Sequence, residues 1–337
     1  MRDPLLEMQV LIQEDIGYRG LRTDPNDNLI TACPDDFRAA CQSLARAEQP
    51  SIAVVTGFFI PHGEPPCGET DGPLGAIFLA RALVPLGYRV TLVTDPFCSR
   101  ALDVGLAACG LSGKVPVLRL PRADEAWDSF VQGDWPNLLE GAGLTHLVAL
   151  ERVGPSHTAE SLRAQRGHTK AVGHDFEAVV PPEHRDRCHT MRGLDITSVM
   201  SPAHRLFEAV RWLAPSVTTI GIGDGGNEIG MGKIPWDVVR RNIPGGDLVA
   251  CRVPTDHLIV AGISNWGAYA LAAGVRLLHE MAPAADLFDI EREREILRVM
   301  VEEGPLVDGV LGRPAVSVDG IGFESYAVTL RRLGEIV

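Results

Sequence analysis

The sequence predicts a doubly wound, mostly parallel α/β sheet, a Rossmann-like three-layer sandwich with helices on both faces. Three observations carry this. Short apolar, β-branched runs alternate with stretches of helical periodicity, the mark of successive βα units. Arg89 to Thr94 is short and β-branched, as suits a strand of a parallel sheet covered on both faces. Glycine-rich polar segments follow several of the runs, where ligands bind in such sheets, beyond the carboxyl ends of the strands.

The elements follow in order. Leu5, Leu6, Met8, Val10, Leu11 and Ile12 give residues 4–15 a helical pattern, and a polar connector from Arg22 to Asn28 follows. A second helix over 34–47 leads to the first strand, Ser51 to Ile60. After a Gly/Pro loop, a helix over 73–86 ends at Gly87, a residue type suited to the left-handed turn that closes helices. Arg89 to Thr94 is a second strand, 96–109 a helix closed by Gly110, and Val115 to Leu118 a third strand. Thr145 to Leu150 is the fourth. Residues 155–200 are rich in His, Arg and Glu and contain Pro181-Pro182, which reads as an excursion or lid over the sheet within one domain of residues 1–337. A helix over 202–213 precedes a fifth strand at 217–222. Leu258 to Ile263 is the sixth, followed by helices over 267–280 and 290–302. The tail carries turn signals at Asp308-Gly309 and Asp319-Gly320 before a last helix over 323–335.

The bulk properties narrow the function. The chain has 337 residues, 45% of them apolar and 22% charged, ordinary for a globular protein. A net charge of −13 argues against nucleic acid as a partner. Cys33, Cys41, Cys67, Cys98, Cys109, Cys188 and Cys251 are scattered without a C-x-x-C pair, as reduced thiols would be. The first residues carry acids and lack a long apolar core, and no run approaches ~18 apolar residues, so neither a secretory signal nor a membrane span is expected. The expected location is the cytoplasm, and a homodimer is the expected assembly.

Chemistry concentrates at strand ends. Gly221 to Lys233 reads GIGDGGNEIGMGK, with six glycines, Asp224, Glu228, Asn227 and Lys233. Such glycine density lets a backbone approach a ligand closely. Gly221, Gly223 and Gly226 match G-x-G-x-x-G formally, but that fingerprint needs a helix opening inside the glycines. Here further glycines and Pro235 follow, and no NAD is expected. Asp, Asn and Glu in one loop suit a hard cation or acid/base work better. Glu64, Glu69 and Asp71 follow the first strand, where Asp71 reads equally well as a helix cap. Glu151-Arg152 follows the fourth strand, as a structural ion pair or with Arg152 as the fork for a carboxylate. Ser264-Asn265 follows the sixth, as a helix cap or as a ligand contact. His184, Cys188, His189 and His204 match no standard zinc spacing and read as loop and helix residues.

GETDGPLGA (68–76), TLVTD (91–95), ERVGPS (151–156), MRGLDIT (191–197), IGDGGNEIGMGK (222–233), SNWGAYALA (264–272) and VDGVLGRPAVSVDG (307–320) stand in one order. Together they resemble the C-terminal domain of the D-glutamate cyclase family, here as a stand-alone chain. The resemblance implies a lyase interconverting D-glutamate and 5-oxo-D-proline plus water, with a small amino acid as the bound partner. On that chemistry Asp224, Glu228, Glu69 and Asp71 form an acid/base or metal-binding set, with Asp224 and Glu228 the ligands of any Mg²⁺ or Mn²⁺. Arg152, Arg192 or Lys233 would hold the substrate α-carboxylate, and Asn227 and Asn265 would orient it. Two other readings stand beside this one: a nucleotide-dependent enzyme using GIGDGG, and a non-catalytic binder of a small amino acid.

Overall fold

The computed structural model describes residues 3–121, 127, 129–130, 133, 135, 137, 141, 143–165, 167, 169–282 and 286–337. Its centre is one sheet of β1 (Ser51–Thr56), β2 (Arg89–Thr94), β3 (Val117–Arg119), β4 (His146–Leu150), β5 (Thr218–Gly223) and β6 (His257–Val260). The strands are all parallel and lie in the order β3-β2-β1-β4-β5-β6. The chain therefore builds outward from β1 in one direction, then returns to the far side of β1 with β4. In a doubly wound sheet this reversal opens a crevice at the carboxyl ends of the two strands.

Strand alternation sorts the core into two layers. Ile52, Val54, Leu92, Val148, Leu150, Ile220 and Ile222 face one side. They pack under helices α1 (Pro4–Ile12), α2 (Asp36–Arg46), α3 (Pro73–Leu83), α4 (Pro96–Ala108), α5 (Ser264–Leu278), α6 (Ile290–Glu302) and α7 (Phe323–Ile336). Ala53, Val55, Val93, Leu147, Ala149, Leu258 and Val260 face the other side. There they meet Leu162, Phe176, Leu206, Phe207, Val210, Trp236 and Val239 from the segment after β4 and the helices flanking β5. Both faces are covered, so the strands can be apolar throughout, and the doubly wound sandwich is the observed fold.

Element boundaries move only at their ends. The first strand stops at Thr56, because Gly57 turns at φ 107 and residues 59–60 leave the sheet to pair antiparallel with 67–68. The helix after β6 begins at Ser264 rather than 267, since the carboxylate of Asp71 accepts its first N–H groups. No helix among the described residues is long and apolar enough to cross a membrane.

Candidate active site

The segments leaving β1, β4, β5 and β6 converge over the crevice, and each brings a polar group with it. After β1, Glu69, Thr70 and Asp71 precede α3. Asp71 Oδ1 accepts from Asn265 N at 2.8 Å and from Gly72 N at 3.0 Å, and Oδ2 accepts from Ser264 N at 2.9 Å. In return Asn265 Oδ1 accepts from Gly72 N at 2.9 Å and Gly75 N at 2.7 Å at the start of α3. Each side chain caps the other's helix, satisfying free N–H groups at both ends. Gly72 is required in this knot: its φ is 89, and a Cβ would press on Thr56 Oγ1 and Glu151 Cβ.

After β4, Glu151 sits in the left-handed region at φ 44 and accepts from Ser264 Oγ at 2.6 Å. Non-glycine residues adopt that region at a cost, often at functional sites. After β5, Asp224 is fully buried; Oδ1 accepts from Arg19 Nη1 at 2.5 Å, and Oδ2 has no hydrogen-bond partner. Arg19 also pairs through Nη2 with Asp319 at 2.7 Å. The loop of Arg19 is preset by Asp15, whose carboxylate accepts from the N–H groups of Arg19, Gly20 and Leu21. The cleft above these groups has a volume of about 370 Å³. Glu69, Glu151, Arg19 and Asp319 line it with Arg192, His62 and Thr190, against an apolar wall of Phe58, Ile60, Met191 and Val310. Gly309 is what admits Glu69, because a Cβ there would overlap Glu69 Oε2.

The electrostatics are those of crowded acids. Burial, then the charges of Asp319 and Asp71, push Glu69 well above the ordinary carboxylate range. Burial and Asp319 push Asp71 up to about 8, against its N–H donors and Arg19. Burial raises Glu151 and Asp224 as well, with Glu228 the leading charge on Glu151, while Arg19 pulls Asp224 down. Ligand oxygens of Asp71, Asp224 and Asp319 lie within 4.8 Å of one another, and so do those of Glu151, Asp224 and Glu228. These oxygens fit a hard divalent cation, and Asp224 belongs to both groups.

This predicts a pH dependence. Between the unfolded pKa near 4 and about 8, folded Asp71 keeps a proton that the unfolded chain releases. Folding stability from this group therefore falls as pH rises through that interval, by about 1.4 kcal/mol per unit per proton. Buried His146, His157 and His204, lowered to about 4, 3 and 4 by desolvation, act with the opposite sign below pH 7. From pH 7 to 8 the cysteine thiols, raised by burial, act with the same sign as the acids, so Asp71 is read from the difference between wild type and its variant. Calorimetry is expected to show the melting midpoint falling there, with a shallower slope in Asp71→Asn; a midpoint that rises contradicts the assignment.

The sequence-predicted residues divide. Glu69 and Arg192 line the cleft, with Arg192 donating to Val310 O at 3.0 Å, while Asp71 and Asp224 are buried beside its lining residue Asp319. Glu228 is near them, but its carboxylate accepts from Asp224, Gly225 and Gly226 N–H at 3.0, 2.7 and 2.8 Å. It locks the loop, and it takes the N–H groups that a phosphate would need. No helix opens inside these glycines; the next begins at Trp236.

Four of the expected substrate contacts have partners within the protein. Arg152 is 0% exposed, ion-paired with Asp95, and donates to Gly57 O and Ser201 O. Neither the cleft nor its neighbour Glu151 is its partner. Lys233 reaches away, to Asp36 at 2.5 Å and Asp256 O at 2.6 Å, beside the amino end of β6. Asn265 is occupied by the helix caps. Asn227 is buried and donates to His189 O at 2.8 Å, while its Oδ1 has no hydrogen-bond partner. Arg19, His62, Glu151 and Asp319 are the site residues that the motif reading left unassigned. Gly17 and Gly20 around Arg19, and Gly320 after Asp319, repeat the glycine-flanked pattern of the other site segments and are the signal that marks them.

A family model described as D-glutamate cyclase-like, C-terminal, matches residues 8–180 and 177–334. Human mitochondrial D-glutamate cyclase is 28% identical over an alignment covering 98% of this chain and 51% of that protein. The chain spans about half the length of the curated relative it matches.

Proposed function

We propose that this chain, which belongs to the D-glutamate cyclase-like C-terminal family, is a lyase interconverting D-glutamate and 5-oxo-D-proline plus water. The observation that carries the reading is the convergence of Glu69, Glu151, Asp224 and Asp319 with Arg19 and Arg192 on one small cleft at the β1/β4 crevice. Lactam formation joins the substrate amine to its own γ-carboxyl group: an ammonium must lose protons and a carboxylate must gain them. Carboxyl groups held above their ordinary range by burial and mutual repulsion keep protons near neutral pH and can give them to the departing oxygen. Arg192, with Arg19 behind it, holds the α-carboxylate by charge-assisted hydrogen bonds. Mg²⁺ or Mn²⁺ would be held by Asp224 with Asp71 and Asp319, and when bound would polarise the γ-carboxyl oxygen.

Arg192→Ala is expected to raise KM for D-glutamate by about 10–100-fold with little change in kcat, the loss of one charge-assisted contact. Steady-state kinetics on the two proteins checks this; a lowered kcat at unchanged KM places Arg192 elsewhere. The reaction itself is tested by incubating the protein with each enantiomer of glutamate and of 5-oxoproline, with EDTA or with added Mn²⁺, and separating the products on a chiral column. Conversion confined to the D pair is expected. Conversion of the L pair alone, or of neither pair by folded protein under every condition, overturns the proposal.

A further inference from the structure

We propose that His62 is the proton carrier of this cleft, taking protons from the substrate amine and delivering them to the departing oxygen. The inference rests on the lyase reading above and adds a residue to it. His62 lies in the turn between residues 59–60 and 67–68 and lines the cleft with Glu69 and Arg192. Both ring nitrogens are enclosed and make no well-formed hydrogen bond, although the Gly309 backbone lies near enough to act on the ring. An enclosed polar atom without a partner is costly, so native folds rarely keep one without a use.

The ring is held in place rather than loose. Glu64 N donates to Gly312 O at 2.9 Å and Gly63 N to Ile60 O at 3.1 Å, closing the turn on both sides. Gly312, at φ 65, lies so near that a Cβ there would come 2.9 Å from His62 Cδ2. The facing turn is fixed in its own right: Asp308 accepts from Val310 N, Leu311 N, Ser317 Oγ and Gly320 N. Burial and the Arg192 guanidinium both lower the His62 pKa, so the ring is neutral and offers one donor and one acceptor nitrogen. Of the nearby carboxyls, Asp71 is engaged by three N–H groups.

The step balances without an outside reagent. A C–N bond forms between the amine and the γ-carboxyl carbon, and one C–O bond breaks. The ammonium nitrogen gives up two protons in becoming the lactam N–H, and the departing oxygen gains two and leaves as water. Nothing is oxidised or reduced. Each proton that His62 accepts from nitrogen it returns to oxygen, so the ring ends as it began.

The test uses the full chain with D-glutamate and compares wild type with His62→Gln and His62→Ala. The expected result is a kcat lower by about 10²–10⁴-fold in both variants, with KM within about twofold, and partial recovery of His62→Ala by added imidazole. Glutamine keeps polarity and approximate size without carrying protons, so it serves if the alanine variant folds poorly. Unchanged kcat, or a loss in His62→Ala that imidazole does not relieve, overturns the carrier role while leaving the lyase reading in place. A folded wild type inert toward D-glutamate overturns both.

Discussion

Asp224→Asn is expected to lower D-glutamate turnover by about 10²–10⁴-fold, the range for removing a group that moves a proton or anchors a reacting oxygen, and to leave the fold intact. Asparagine keeps an oxygen where Arg19 Nη1 now donates at 2.5 Å, so the Arg19 loop retains its anchor. What is lost is the charge and the second oxygen, Oδ2, which is buried and unpartnered in the free protein. Asp224 is also the carboxylate shared by the two oxygen clusters of the site. No other single substitution there removes a member of both. Kinetics with a thermal melt on the same sample checks this. Full activity in a folded variant removes Asp224 from the chemistry.

Arg152→Met is expected to act on stability instead, by about 3–5 kcal/mol. Arg152 and Asp95 are both fully buried. Asp95 also accepts from Ser201 N at 2.6 Å, so the pair ties the end of β2 to the segment returning from residues 186–205. Removing the guanidinium leaves a buried carboxylate facing only that one donor, whereas replacing both partners by apolar residues removes the charge as well. The double variant Arg152→Met/Asp95→Leu is therefore expected to recover much of the loss. Urea unfolding of the three proteins measures it. Wild-type stability in Arg152→Met, together with a raised KM, would return Arg152 to the substrate.

Arg152 illustrates why the fold was legible in the sequence and the site only partly so. The alternation of apolar runs with helical periodicity is local, and it locates the sheet strands to within a few residues of their observed ends. The placement of Asp224, directly after β5, and of Glu69 and Asp71, in the segment between β1 and α3, follows from the same local reasoning. A side chain's partner is not local. Arg152 meets Asp95 across 57 positions, Lys233 meets Asp36 across 197, and Asn265 meets Gly72 across 193. Each of those pairings gives the residue a partner that its own segment of sequence does not disclose. The converse holds for Arg19 and Asp319. They come from opposite ends of the chain, outside any βα unit, and only the closed fold brings them to Asp224 and Glu69. Glu228 shows a third case. It lies close to Asp224 in sequence and in space, yet its oxygens face the backbone N–H groups of its own loop.

The most direct measurement is a proton NMR time course of D-glutamate with wild type and Asp224→Asn side by side, both verified as folded. Appearance of 5-oxo-D-proline with the wild type, and its absence over the same period with the variant, is the predicted result. Equal rates in the two proteins, or no product from either, would contradict the assignment of this chemistry to the acidic cleft.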